Sequence, residues 1–145
     1  MNRREFTITV GGMVLSCGAV AQQRRVQRIG VLWHAGNAEE EKTPLGALVE
    51  GLRDVGYIDG QTMTLDNRFP NEEPARFKLL AAELVASRPD ILVTVTRQAA
   101  IAAKQETASI PIFFLSVPDP VESGLVASLA HPGGNITGSP VCRLN

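Results

Sequence analysis

Residues 110–138 read IPIFFLSVPDPVESGLVASLAHPGGNITG, from Ile110 to Gly138. The run Ile110–Val117 is apolar, rich in β-branched and aromatic residues, and has the length of a buried strand, with Pro111 tolerable at its start. Asp119-Pro120-Val121-Glu122 then carries the elements of a helix entrance. Asp119 suits the cap, Pro120 the first turn, and Glu122 can return the capping bond. Val121, Leu125 and Leu129 predict the buried stripe of that helix, and His131 falls in its last turn, where a partly cationic ring favours the dipole. Pro132-Gly133-Gly134 stops it, and Asn135–Gly138 begins a further strand. A strand, a helix and a second strand on short connections imply a right-handed crossover between parallel neighbours.

The same alternation runs back toward the N-terminus. Arg28–His34 (RIGVLWH) is a continuous apolar run, as in a strand covered on both faces, with Trp33 read as a core residue. Leu45, Leu48, Val49, Leu52 and Val55 share one helical face, with Thr43-Pro44 as cap and first turn, Glu39–Glu41 as a solvated helix start and Gly56 as the stop. Thr62–Phe69 reads as a strand at or near a sheet edge. Pro74 opens a helix whose stripe is Phe77, Leu80, Ala81, Leu84 and Val85. Asp90–Thr96 is the third strand, and Gln98–Glu106 an alanine-rich helix. The fold class is therefore α/β, a doubly wound parallel sheet of flavodoxin-like order 2-1-3-4-5. In such sheets ligands collect beyond the carboxyl ends of the strands, where the winding reverses. That rule singles out the loops His34–Asn37, Thr96–Gln98 and Ser116–Asp119. Ser116 offers a hydroxyl, Arg97 a partner for a carboxylate, and the helix entrance at Asp119 a set of free amides.

Several chemistries lack their residues. The first strand is followed by WHAGNAEE, without the glycines of a dinucleotide site, and no phosphate loop occurs. Thr94-Val95-Thr96 stands where a phosphoacceptor aspartate would be needed. No nucleophile elbow accompanies the two histidines. His34, His131, Asp119 and Cys142 have no metal-ligand spacing, so neither a metal nor a cofactor is expected. The basic residues are scattered, aromatics are few, and the formal net charge is −1, which argues against a nucleic-acid partner.

The start, MNRREFTITVGGMVLSCGAVAQQ, has a basic head, an apolar run and a small-x-small end at Ala19-Val20-Ala21, the plan of an export signal over residues 1–21. Arg3-Arg4 followed by Phe6 fits a twin-arginine signal, and an ordinary secretory leader is the alternative. A lipoprotein box ending at Cys17 fits less well, because Leu15 precedes Ser16. Cleavage after Ala21 leaves Gln22 first, with 12 basic and 14 acidic residues.

With these segments assembled, the chain resembles the substrate-binding proteins of bacterial ABC transporters, in the branch labelled tryptophan/tyrosine-type with a type I periplasmic-binding fold. RIGVLW, LVEGLRDVGYIDGQTMTLDNRF, LAAELVASRPDILVTVT and the block Ile110–Gly138 carry the resemblance. It implies two α/β lobes enclosing a small molecule, an amino acid or related metabolite, in the periplasm, and delivery to ABC permease subunits at the membrane. It implies no catalysis. By strand-end position it places ligand-facing loops at His34, Ala35, Thr96, Arg97, Ser116 and Asp119. After Gly138 such proteins continue into a second lobe, whereas here SPVCRLN closes the sequence. Residues 22–145 are thus expected to be an N-terminal lobe, incomplete at its C-terminus and binding weakly alone, from a truncated gene product, a frameshift or an incomplete gene. An enzyme or regulatory domain of the same topology is the alternative from another class.

Overall fold

Five apolar runs pair into one parallel sheet. A computed structural model of the chain describes residues 25–141. The strands are β1 (Gln27–Leu32), β2 (Met63–Arg68), β3 (Ile91–Val95), β4 (Ile112–Val117) and β5 (Ile136–Pro140). The helices are α1 (Lys42–Asp54), α2 (Pro74–Ala86) and α3 (Arg97–Glu106). The sheet order is β2-β1-β3-β4-β5, with every pair parallel, as the alternating pattern predicts. The proposed leader, Cys17 and Cys142 lie outside the described residues.

Period-two alternation assigns side chains to the two faces. Leu32, Leu92, Ile112, Phe114 and Ile136 are buried with Phe77, Ala81 and Leu84 of α2 and four alanines of α3. On the other face Ile29, Val31, Trp33, Met63, Val93 and Val95 form a second cluster, on which Leu45, Leu48 and Leu52 of α1 rest half-buried. Trp33 is buried, stacks on Phe69 at a centroid distance of 6.4 Å, and donates its indole N–H to Asn67 Oδ1 at 2.8 Å. Buried indole keeps its polar atom satisfied in this way. Val55, expected in the α1 stripe, instead forms the cap beyond it and is exposed.

The helix expected after β4 does not form. Residues 120–124 make one turn, closed by Ser123 N–H to the Asp119 carbonyl (3.0 Å) and by Leu125 N–H to the Pro120 carbonyl (3.0 Å), and residues 125–130 continue as irregular chain. Three features stop it there. Asp119 has φ 46°, so the chain enters with the left-handed geometry rather than the extended one of an ordinary cap. Gly124, at φ 71°, reverses the chain after one turn. The Lys104 ammonium of α3 then donates to the Gly124 carbonyl (2.6 Å) and to the Leu125 carbonyl (3.3 Å), occupying acceptors that a continuing helix would use. Burial matches this path: consecutive Leu125 and Val126 are buried, while Val121 and Leu129 are exposed. His131 accordingly caps no helix; its amide donates to Ser128 Oγ at 2.9 Å.

Gly138 locks the β4–β5 edge. It pairs with Phe114, and a Cβ at Gly138 would run into the Phe114 carbonyl oxygen and lie 2.7 Å from its backbone nitrogen. Neither atom can yield. We expect Gly138→Ala to cost about 2–4 kcal/mol in urea unfolding, the range for enforced strain in a packed sheet, and to remove hydrogen-exchange protection from residues 136–140 before the rest. Unchanged stability would refute the close approach.

Candidate functional site

The reversal of winding lies between β1 and β3, and the loops that leave their carboxyl ends diverge there. Trp33 N–H still bonds the Arg68 carbonyl (3.0 Å), after which the chain lifts off the sheet. The carbonyls of His34 and Ala35 accept the amides of Glu72 (2.7 Å) and Asn71 (3.0 Å), so the loops after β1 and β2 are tied together.

Asn37 organises the stretch between β1 and α1. Its Oδ1 accepts the amides of Glu39 (3.0 Å) and Glu40 (3.1 Å), and the Glu40 carboxylate returns to Gly36 N–H (3.0 Å) and Asn37 Nδ2 (2.8 Å). This reciprocal bonding winds residues 38–41 into a turn before α1. Glu39 and Glu40 stay in solvent, but the turn carries Glu41 inward. The expectation of a wholly solvated acidic start fails at this residue. Glu41 is 2% exposed, and its Oε1 lies 3.2 Å from Ala35 N and 2.6 Å from His34 Nδ1. The latter approach is off the axis of the ring N–H, so it is a close polar contact rather than an aligned hydrogen bond.

At the end of β3, Thr96 has φ 88° and ψ 161°, a region that glycine populates and a β-branched residue avoids. Its amide donates to the Leu115 carbonyl (3.1 Å), and its own carbonyl accepts Ala100 N–H (3.2 Å), starting α3. No side chain caps that helix, so its first amides and the positive end of its dipole face outward from the strand ends. The hydroxyls of Thr94 and Thr96 are buried without a hydrogen-bond partner among the described residues. Ser116 lies at the irregularity in the β4–β5 register between Leu115 and Val117 and has φ 55°.

Of the six non-glycine residues with positive φ among the described residues, five follow or end strands on this side of the sheet: Asn71, Glu72, Thr96, Ser116 and Asp119. Strain of this kind costs on the order of 1–3 kcal/mol per residue and persists only where the surroundings enforce it. It gathers here at the mouth of a cavity of about 770 Å³. His34, Thr96, Arg97 and Ser116, all singled out from strand-end position, line it. Ala35 and Asp119 are not in its lining: Ala35 is buried with its amide held by Glu41, and Asp119 is exposed beyond Pro118. Glu72, Gln98, Ile101 and Pro118 complete the lining. Glu72 carried no sequence signal, since it arrives through the tie between two loops. Gln98 and Pro118 fall in the loops that strand-end position singled out, and Ile101 was legible in principle, one turn into α3.

The cavity therefore carries one carboxylate, Glu72, and one guanidinium, Arg97, both exposed and neither in an ion pair among the described residues. Among those residues no group of three or more His, Cys, Asp or Glu is placed to hold a metal ion, and no helix is long and apolar enough to cross a membrane. The result is a polar, two-signed surface with free amides, suited to holding a small molecule by charge-assisted hydrogen bonds.

Known proteins point the same way. The family model described as "ABC transporter substrate binding protein" matches residues 35–141. A curated tyrosine-binding protein of Clostridioides difficile is 31% identical over 116 residues, which is 80% of this chain and 33% of that protein. Among solved structures, the ligand-free, open form of a substrate-binding protein with adhesive properties from Clostridium difficile superposes with a TM-score of 0.71 at 28% identity, over 78% of this chain and 38% of the other. A domain from Streptococcus pneumoniae in complex with L-Trp gives the same TM-score and identity, over 79% and 38%. The chain thus spans about a third of the length of the curated relative it matches.

Relief of backbone strain supplies a test of the site. Thr96→Gly removes the β-branched side chain from a glycine-type conformation, and we expect it to raise the urea midpoint, by about 1 kcal/mol of stability. A lowered midpoint would show that the Thr96 side chain stabilises the fold by more than its backbone strains it.

Proposed function

Because the chain belongs to the ABC transporter substrate-binding protein family, we propose that its strand-end cavity is one wall of a cleft that captures an amino acid or related small metabolite for delivery to a membrane permease. The observation that carries the reading is the pairing, in one cavity, of the uncapped α3 N-terminus and Arg97 with Glu72. A free amino acid is a zwitterion. Its carboxylate matches the amides at Arg97 and Gln98 and the Arg97 guanidinium, while its ammonium matches Glu72. The name of one relative, a tyrosine-binding protein, and the L-Trp bound to another support this class. In this reading the opposite wall is a second lobe, as the one-third coverage of the relatives suggests.

Titration of the 15N-labelled chain with L-tyrosine and L-tryptophan tests it. We expect saturable shifts of the Thr96, Arg97 and Ser116 amides at a Kd on the order of 1 mM, about 4 kcal/mol, because a single wall leaves much of the ligand in water. Arg97→Ala should weaken binding about tenfold or more, the loss of one charge-assisted contact. Shifts elsewhere only, or none, would sink the reading.

Export belongs to the same proposal. Residues 1–21 act as a cleaved leader and place the binding lobe in the periplasm. N-terminal sequencing of the secreted product should then begin at Gln22; retention of Met1 in a cytoplasmic product would overturn it.

A further inference from the structure

We propose that the buried carboxylate of Glu41 is a positioning residue that fixes the His34 ring with Nδ1 turned inward and Nε2 facing the cavity. The inference rests on the binding role of that cavity and adds a residue that touches no ligand. Glu41 is a poor candidate for a chance burial, because an isolated carboxylate inside a protein is costly unless polar groups hold it. The two groups at Oε1 are the Ala35 amide and His34 Nδ1. The first anchors the carboxylate to the backbone of the loop that carries His34. The second places a carboxylate oxygen 2.6 Å from one particular ring nitrogen.

Imidazole has two inequivalent nitrogens, and the partner of one decides what the other presents. A carboxylate 2.6 Å from Nδ1 favours the proton on that nitrogen. The Nδ1 atom is buried, while 39% of the His34 side chain remains exposed in the cavity wall. The ring therefore shows its Nε2 edge to the ligand. In the neutral ring that edge is a hydrogen-bond acceptor, so it takes a hydroxyl or ammonium hydrogen and not a carboxylate. The charged groups around His34 agree with this polarity: Glu41 lies behind it, and Glu72 and Arg97 share its cavity.

The test reads the tautomer directly. Long-range 15N–1H correlation spectra of the full chain resolve the two imidazoles, with His131→Asn assigning His34. We expect the neutral His34 ring to be mainly the Nδ1–H tautomer. Glu41→Gln, which keeps an acceptor of the same shape, should preserve it. Glu41→Ala should return His34 to the Nε2–H majority of free imidazole, with circular dichroism confirming the fold. A wild-type His34 mainly in the Nε2–H form, or a tautomer unchanged in folded Glu41→Ala, would overturn the inference. If Glu41→Ala does not fold, the wild-type and Glu41→Gln spectra still decide it. Addition of L-tyrosine to the same samples separates the two claims. An Nδ1–H tautomer without any ligand response would support the positioning and count against the binding role, whereas binding with the reverse tautomer would count only against Glu41.

Discussion

The parallel pairing of β1 with β3 is the constraint on which the site depends. Ile29 to Leu32 align with Ile91 to Thr94, and the chain departs from β1 toward β2 on one side and joins β3 from the other. Connections on opposite sides of this pair must diverge, and the crevice between them cannot be filled by either. The pairing is tight. A Cβ at Gly30 would lie 2.9 Å from Leu92 Cδ2 and 3.1 Å from Leu84 Cδ2, so the sheet and α2 meet at the one position in β1 without a side chain.

The walls of the crevice are held by hydrogen bonds that strand pairing does not supply. Asn71 and Glu72 give their amides to the loop after β1, the Asn37 side chain accepts the Glu40 amide while the Glu40 carboxylate accepts the Gly36 amide, and the Thr96 amide reaches the carbonyl of Leu115. The bonds at Asn71, Glu72 and Thr96 hold residues in a left-handed conformation that an isolated chain would avoid. The strained residues cluster where the cavity opens, as expected if a rigid layout for a ligand has been set against local backbone preference.

The segment after β4 shows how far local pattern extends. Asp-Pro-x-Glu followed by leucines at helical spacing is a sound helix entrance, and elsewhere in the chain the same logic holds: Pro74 opens α2. After β4 the deciding contacts come from α3, whose Lys104 bonds two carbonyls, and from the left-handed entry at Asp119. The first comes from a residue twenty positions away, and the second is a backbone conformation that the residue type does not announce. Glu41 shows the same limit from the other direction, since three consecutive glutamates look alike until a turn carries one of them under His34.

The amino-acid sequence by itself determined the alternation of strands and helices, the parallel order and the end of the sheet where the cavity lies. It also marked four of the cavity's residues: His34, Thr96, Arg97 and Ser116. These come from periodicity and from the handedness of crossovers, which are properties of short segments and their order. Tertiary structure alone decided that Glu72 shares the cavity, that Asp119 lies outside its lining, that residues 120–130 form a single turn and irregular chain rather than a helix, and that Glu41 is buried behind His34. The reason is physical. Glu72 and the Lys104 contact depend on segments brought together only when the sheet forms, while Glu41 and the turn at Gly124 depend on backbone conformations that residue type alone leaves open.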